Sequence, residues 1–202
     1  MNYRDFETLF RNYPIINLPA ITLLTGEKSS NVLNTLARWK REGRIISLRR
    51  GYYTLPNAVK PPTPPLIANE IYRPSYLSLE WALSFYGIIP DAVFSCTSVT
   101  TRLGKKFSNR FGDFYYRHIK PAAYWGFTQR MISGFKIRIA DPEKALLDYW
   151  YLHSGEWTQS RMEAMRLQQM DTIDATKLRQ YSRRWNSPRL ERAVKTIIPL
   201  LK

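Results

Sequence analysis

Five prolines fall within ten residues of this chain, in the stretch PNAVKPPTPP from Pro56 to Pro65. Proline lacks a backbone N–H and holds φ near roughly −65°, which excludes such a run from helix interiors and central strands. The stretch reads as a semi-rigid, extended linker. It divides the 202 residues into a small N-terminal unit, 1–55, and a larger C-terminal unit, 66–202. Hydrophobic residues make up 44% of the chain, enough for each unit to have a packed core.

The N-terminal unit shows helix periodicity followed by strand composition. A first helix is expected from Tyr3 to Asn12, with Phe6, Leu9 and Phe10 on one face and Pro14 after its end. LPAITLLTG gives a short second helix, with Pro19 early in it and Gly26 as its stop. EKSS is the expected turn, and SNVLNTLARWKREG a third helix with Ser30 as N-cap and Gly43 just past the C-terminus. The segments RIISL and YYTL then read as strands joined by the tip Arg49-Arg50-Gly51, where glycine suits a positive φ. Helix, helix-turn-helix and two-stranded wing is the order of a winged helix-turn-helix.

Plotted at about 100° per residue, the third helix has two faces. Asn31, Asn34, Thr35, Arg38, Arg41 and Glu42 fall on one side, and Val32, Leu33, Leu36, Ala37 and Trp39 on the other. Lys40 breaks the pattern, and snorkelling near the helix end would accommodate it. A face of this kind is ordinarily just solvated. Here it is rich in Asn and Arg and poor in Glu, and a basic hairpin tip follows it directly.

Net charge sharpens that reading. The chain holds 31 Lys+Arg against 16 Asp+Glu, a net +15, which points to a polyanionic partner, nucleic acid first and an anionic membrane second. Arg38, Lys40, Arg41, Arg44, Arg49 and Arg50 cluster, opposed locally by Glu42 alone. Double-stranded DNA is therefore the expected partner. Asn31, Asn34, Thr35 and Arg38 are the candidates for contacts at base edges, Arg41, Arg49 and Arg50 for phosphate contacts, and Ser30 is a further DNA-binding candidate at the start of the helix. The plainer explanation of Arg49 and Arg50 is a charged tip that protects a hairpin edge from aggregation.

Other chemistries find little material. Cys96 is the single cysteine and His118 and His153 are the only histidines, so neither a disulfide nor a metal centre is expected. No dinucleotide or phosphate-loop glycine motif is present, and no cofactor is expected. MNYRDFETLFRNYP lacks the apolar stretch of a signal peptide, and no apolar run is long enough to span a bilayer. The expected location is the cytoplasm, with no membrane partner.

In the C-terminal unit, LIANEIY and LSLEWALSFYG read as helices and AVFSCTSVT, FGDFYYRHIK and MISGFKIRIA as strands. DPEKALLDYWYLHSG reads as an apolar helix, and the tail as helical with breaks near Asp171 and Pro188. The expected fold class is α+β: a winged helix-turn-helix, a proline linker, and a mixed α/β domain with a helical tail.

Three stretches, taken together, resemble the AbiEi-type antitoxins, the transcriptional-regulator halves of type IV toxin–antitoxin and phage-defence (abortive infection) systems. They are the winged unit with RRGYYTL, the segment PSYLSLEWALSFYGIIPD with SVTTR after it, and YRHIKP followed by IADPEKALLDYWYL. The resemblance covers residues Leu18 to Leu152. It implies a winged N-terminal domain that represses its own operon by binding promoter inverted repeats. It also implies a C-terminal domain needed to neutralise a nucleotidyltransferase toxin, with or without direct contact. No catalytic role comes with it.

Two enzymatic arrangements are conceivable on paper. Asp141, Glu143, Lys144 and Asp148 could hold Mg²⁺ as in a DNA-targeted nuclease, although Asp141, Pro142 and Glu143 equally suit a helix N-terminus. Ser95, Ser98, Asp113 and His118 could be assembled into a hydrolase triad, without a nucleophile-elbow glycine pattern to support it. A basic stretch with Arg102, Lys105, Lys106 and Arg110 reads as a loop, either solvated or an auxiliary contact. Arg183-Arg184-Trp185 is open to phosphate contact or to plain surface charge.

Overall fold

Local capping defines the N-terminal helices of the computed structural model, which describes residues 1–201. Helix α1 (Tyr3–Phe10) is capped by Asn2, whose side chain accepts from the Asp5 amide at 2.9 Å. A two-residue strand β1 (Ile16–Asn17) leads into α2 (Leu18–Thr25), where Asn17 caps by accepting from the Ala20 amide at 2.9 Å. Gly26, at φ 68°, ends α2 in the left-handed region that glycine adopts without strain. Helix α3 (Ser29–Arg41) starts two residues earlier than its sequence suggests. Lys28 occupies the cap position without a side-chain bond, so Ser30 lies inside the first turn and is not the cap. The connection between α2 and α3 is accordingly Gly26–Lys28 rather than EKSS.

Val32, Leu36 and Trp39 of α3 are buried with Phe6, Phe10, Ile21, Ile45 and Tyr53 in one apolar cluster. The helical projection holds at these positions and fails at Ala37, which is exposed; Lys40, on the apolar side by angle, is exposed as well. Strands β2 (Ile46–Arg49) and β3 (Tyr52–Thr54) follow, and β1 adds to them in the order β1-β3-β2.

The proline segment is shorter than its composition indicates. Helix α4 spans Pro64–Ile71, with Pro64 and Pro65 in its first turn, where a missing N–H costs no intrahelical bond. The strands behind it are β4 (Ser75–Leu77), β5 (Cys96–Thr100), β6 (Lys105–Asn109), β7 (Gly112–His118), β8 (Phe127–Ile132) and β9 (Phe135–Ala140). They form a six-stranded mixed sheet in the order β6-β7-β5-β4-β9-β8. The chain is thus α+β. Three strand expectations need correction. The 102–110 stretch is a loop only at its ends: Lys105–Asn109 is strand β6, which pairs antiparallel with β7 along its whole length, and Arg102 and Arg110 lie outside it. MISGFKIRIA is a hairpin rather than one strand, turned at Ser133 and Gly134, both with positive φ (50° and 80°) as a tight two-residue hairpin requires. Strand β4, the short central strand, has no alternating pattern to announce it.

Helix α5 (Leu79–Phe85) and α6 (Pro142–Leu152) pack together, and α7 (Gln159–Ala164), α8 (Ala175–Trp185) and α9 (Pro188–Ile197) complete the tail. The expected breaks near Asp171 and Pro188 correspond to a 3-10 turn at Met170–Thr172 and to the start of α9. Helix α6 carries an ion pair, Lys144 with Asp148, one turn apart and fully buried. Asp148 also accepts from the hydroxyls of Tyr76 in β4 (3.0 Å) and Ser78 (2.7 Å), and Lys144 donates to the Tyr76 oxygen at 2.8 Å. Its ammonium lies 4.2 Å from the Trp185 ring centroid and 5.1 Å from that of Trp125. Burial pushes the Lys144 pKa down and the Asp148 pKa up, each opposed by the other's charge.

The two units are in contact. Leu48 of β2 is buried in the core of the C-terminal unit, and the Asn109 amide of β6 donates to the Leu48 carbonyl at 3.0 Å. The N-terminal hairpin therefore packs on the larger sheet rather than hanging from a tether.

Removing one partner of a buried pair strands the other charge. Asp148→Ala should lower unfolding stability by about 3–5 kcal/mol, whereas Lys144→Met/Asp148→Leu should cost clearly less. Urea denaturation of both variants checks the order.

Candidate nucleic-acid interface

With Val32, Leu36 and Trp39 facing the core, the opposite side of α3 is left to solvent. Ser30, Asn31, Asn34, Arg38 and Arg41 are exposed, and Thr35 is half-buried. Glu42 is shared between two arginines, 3.9 Å from Arg38 and 3.1 Å from Arg44. Arg41 has no carboxylate partner among the described residues. An exposed pair such as Arg38–Glu42 is weak, so Arg38 can exchange it for another acceptor.

The hairpin tip sits in fixed relation to these helices. The Gly51 carbonyl accepts from the Leu18 amide at the start of α2 (2.9 Å), and Tyr52 pairs with Asn17 in the adjoining strand. Gly51, at φ 84°, supplies the positive φ of the turn. The two tip arginines have different surroundings. Arg50 is exposed. Arg49, expected at the tip, is the last residue of β2 and is half-buried. Its guanidinium lies 5.1, 5.2 and 5.7 Å from the ring centroids of Tyr52, Phe107 and Tyr72. Two of those rings belong to the C-terminal unit, so Arg49 also joins the units. The structure thus gathers Ser30, Asn31, Asn34, Arg38, Arg41 and Arg50 as exposed groups on one compact unit and turns Arg49 inward.

The structure brings two residues of the basic 102–110 stretch to the tip, a placement the sequence did not signal. Arg102 and Lys105 flank the start of β6, beside Arg49 and Arg50. Arg102 lies over the Tyr72 ring at 4.5 Å and donates to the Arg73 carbonyl at 3.2 Å. The alternation in FGDFYYRHIK identifies β7, but no local signal tells that the basic stretch before it folds back as the paired strand.

Elsewhere the candidate catalytic groups do not converge. Lys144 and Asp148 are sealed in the core. Asp141 stands at the N-cap of α6 without a capping bond, and instead accepts from the Tyr181 hydroxyl at 2.9 Å and pairs with Lys177 at 3.2 Å. Glu143 accepts from the Asp174 amide at 2.9 Å and pairs with Lys177 at 3.0 Å, joining α6 to α8. Asp113 and His118 lie towards opposite ends of β7, about 16 Å apart along the strand. Asp113 accepts from Ser108, and Ser98 is buried. Cys96 is buried too, which pushes its thiol pKa up to about 12. In the tail, Trp185 is buried against Trp125 and Tyr151, and Arg184 covers the Trp125 ring at 4.5 Å, leaving Arg183 exposed. Among the described residues no helix is long and apolar enough to cross a membrane.

No protein-family model and no curated protein matches this sequence. Its likeness to the AbiEi-type antitoxins rests on the motifs alone.

The unlike settings of Arg49 and Arg50 separate in a stability measurement. Arg49→Ala should destabilise by about 1–2 kcal/mol through lost ring contacts. Arg50→Ala should stay within about 0.5 kcal/mol of the parent. Thermal unfolding of the two single variants provides the comparison.

Proposed function

We propose that the chain is a sequence-specific, double-stranded-DNA-binding transcriptional autorepressor whose N-terminal unit is a winged helix-turn-helix. The observation that carries this reading is the solvent face of α3, where Asn31, Asn34, Arg38 and Arg41 are exposed, together with the exposed tip residue Arg50 of the same unit. In this reading α3 lies in the major groove, which admits a helix. Asn31, Asn34, Thr35 and Arg38 meet base edges, with Ser30 at the entry of the helix. Arg41 and Arg50 neutralise phosphates and release counterions. Arg49 aims the tip from its aromatic seat. Two copies on inverted repeats would occupy the promoter of the chain's own operon.

The motif resemblance extends the proposal: the protein acts as the antitoxin of a type IV system in the cytoplasm, its functional partner being a nucleotidyltransferase toxin. The C-terminal unit would serve neutralisation and not catalysis, in keeping with the structural engagement of Asp141, Glu143, Lys144 and Asp148.

Fluorescence anisotropy with the duplex upstream of the chain's own reading frame, against a scrambled duplex, tests the first part. Arg38→Ala should cost about 1–3 kcal/mol of the preference for the upstream sequence. Arg50→Ala should weaken both duplexes alike and make the plot of log affinity against log salt shallower by about one unit. Equal affinity of the parent protein for both duplexes would overturn sequence-specific binding. Absence of a nucleotidyltransferase frame beside the chain's own, or failure of co-expression with that toxin to rescue growth, would remove the antitoxin role.

A further inference from the structure

We propose that the notch between the hairpin tip and β6 is a binding site for the oligophosphate chain of a small ligand of the nucleoside triphosphate class. The recess has a volume of ≈ 500 Å³, within the range of small-molecule sites. Its cationic lining comes from both units: Arg49 and Arg50 from the hairpin, Arg102 and Lys105 from the start of β6. Tyr72 and Phe107 supply its aromatic wall. No carboxylate lines it; the hydroxyl of Ser108, at its edge, is turned to Asp113.

Like charges lie close together here. Arg49 and Arg102 both lie over the ring of Tyr72, at 5.7 and 4.5 Å from its centroid. Arg102 is further anchored on the Arg73 carbonyl, which leaves other guanidinium N–H donors unassigned. None of the four cations of the notch forms a salt bridge among the described residues. Aromatic faces offset part of the repulsion, and the concave shape focuses the remaining positive potential into the recess. Guanidinium groups fixed in advance lose little entropy on binding and match phosphate oxygens two at a time.

Charge spacing selects the ligand class. Successive phosphates of an oligophosphate share a bridging oxygen, so several negative charges fit inside one recess. A duplex backbone carries a single phosphate per nucleotide. A ligand seated here would bridge the hairpin and β6, two elements that otherwise meet through Leu48, Arg49 and Asn109. The inference stands on the notch alone and does not require the duplex-binding reading.

Isothermal titration calorimetry on the full chain, at about 0.15 M salt to screen diffuse attraction and without DNA, tests it with ATP, inorganic tripolyphosphate and adenosine. ATP and tripolyphosphate should saturate one site per chain with affinities within about threefold of each other, and adenosine should give no heat. Arg102→Ala/Lys105→Ala should weaken ATP binding by at least roughly tenfold. Lys136→Ala/Arg183→Ala removes equal charge at β9 and α8, neither of which lines the notch, and should change it by less than about twofold. Lys105→Ala alone, at an exposed strand position, should show a smaller loss in the same direction and guards against misfolding of the double variant. Absence of saturable ATP binding, equal losses in the two double variants, or binding of adenosine as tight as ATP would each overturn the proposal.

Discussion

The buried pair of Lys144 and Asp148 is the constraint around which the C-terminal unit is arranged. Two charges without solvent are tolerable only where every donor and acceptor finds a partner. Here Asp148 collects Lys144, Tyr76 and Ser78, and Lys144 is enclosed by the rings of Trp125 and Trp185. These partners come from β4 and its end, from the segment before β8 and from α8. The short central strand, the helix behind it and the tail are thereby positioned against one another by a single polar centre. Apolar packing alone would leave a three-residue strand free to slip; a hydrogen-bonded Tyr76 gives it one register.

That order reaches the N-terminal unit through neighbouring strands. Strand β4 pairs with β5, β5 with β7 and β7 with β6, and β6 holds the hairpin through Asn109 and Phe107. The hairpin in turn binds the first residue of α2 through Gly51. The hairpin tip and the start of α2 are consequently oriented with respect to the large sheet.

Much of this was legible in the sequence where a local rule governs. Pro19 and Gly26 mark the start and stop of α2, and the apolar stripe of Val32, Leu36 and Trp39 identifies the core side of α3. The exposed candidates Asn31, Asn34, Arg38 and Arg41 follow from the same projection. What escaped depends on partners distant in sequence. Strand β6 is basic and mostly exposed because it is a sheet edge, and charged edges read as loops. The inward turn of Arg49 requires Tyr72 and Phe107 from the other unit, and nothing within RRGYYTL signals it. The proline stretch concealed the start of α4 because proline is unfavourable inside a helix yet favourable in its first turn.

Leu48 is covalently part of one unit and packed in the core of the other. Severing the chain at its proline segment, the obvious boundary, would not yield two self-sufficient modules. The larger fragment would retain a socket without its plug, and the smaller would present a bare leucine on its hairpin. The division suggested by composition is thus one of chain topology, while the folded body is partitioned differently: its modules are interlocked, and evolution could exchange one only by refitting the other.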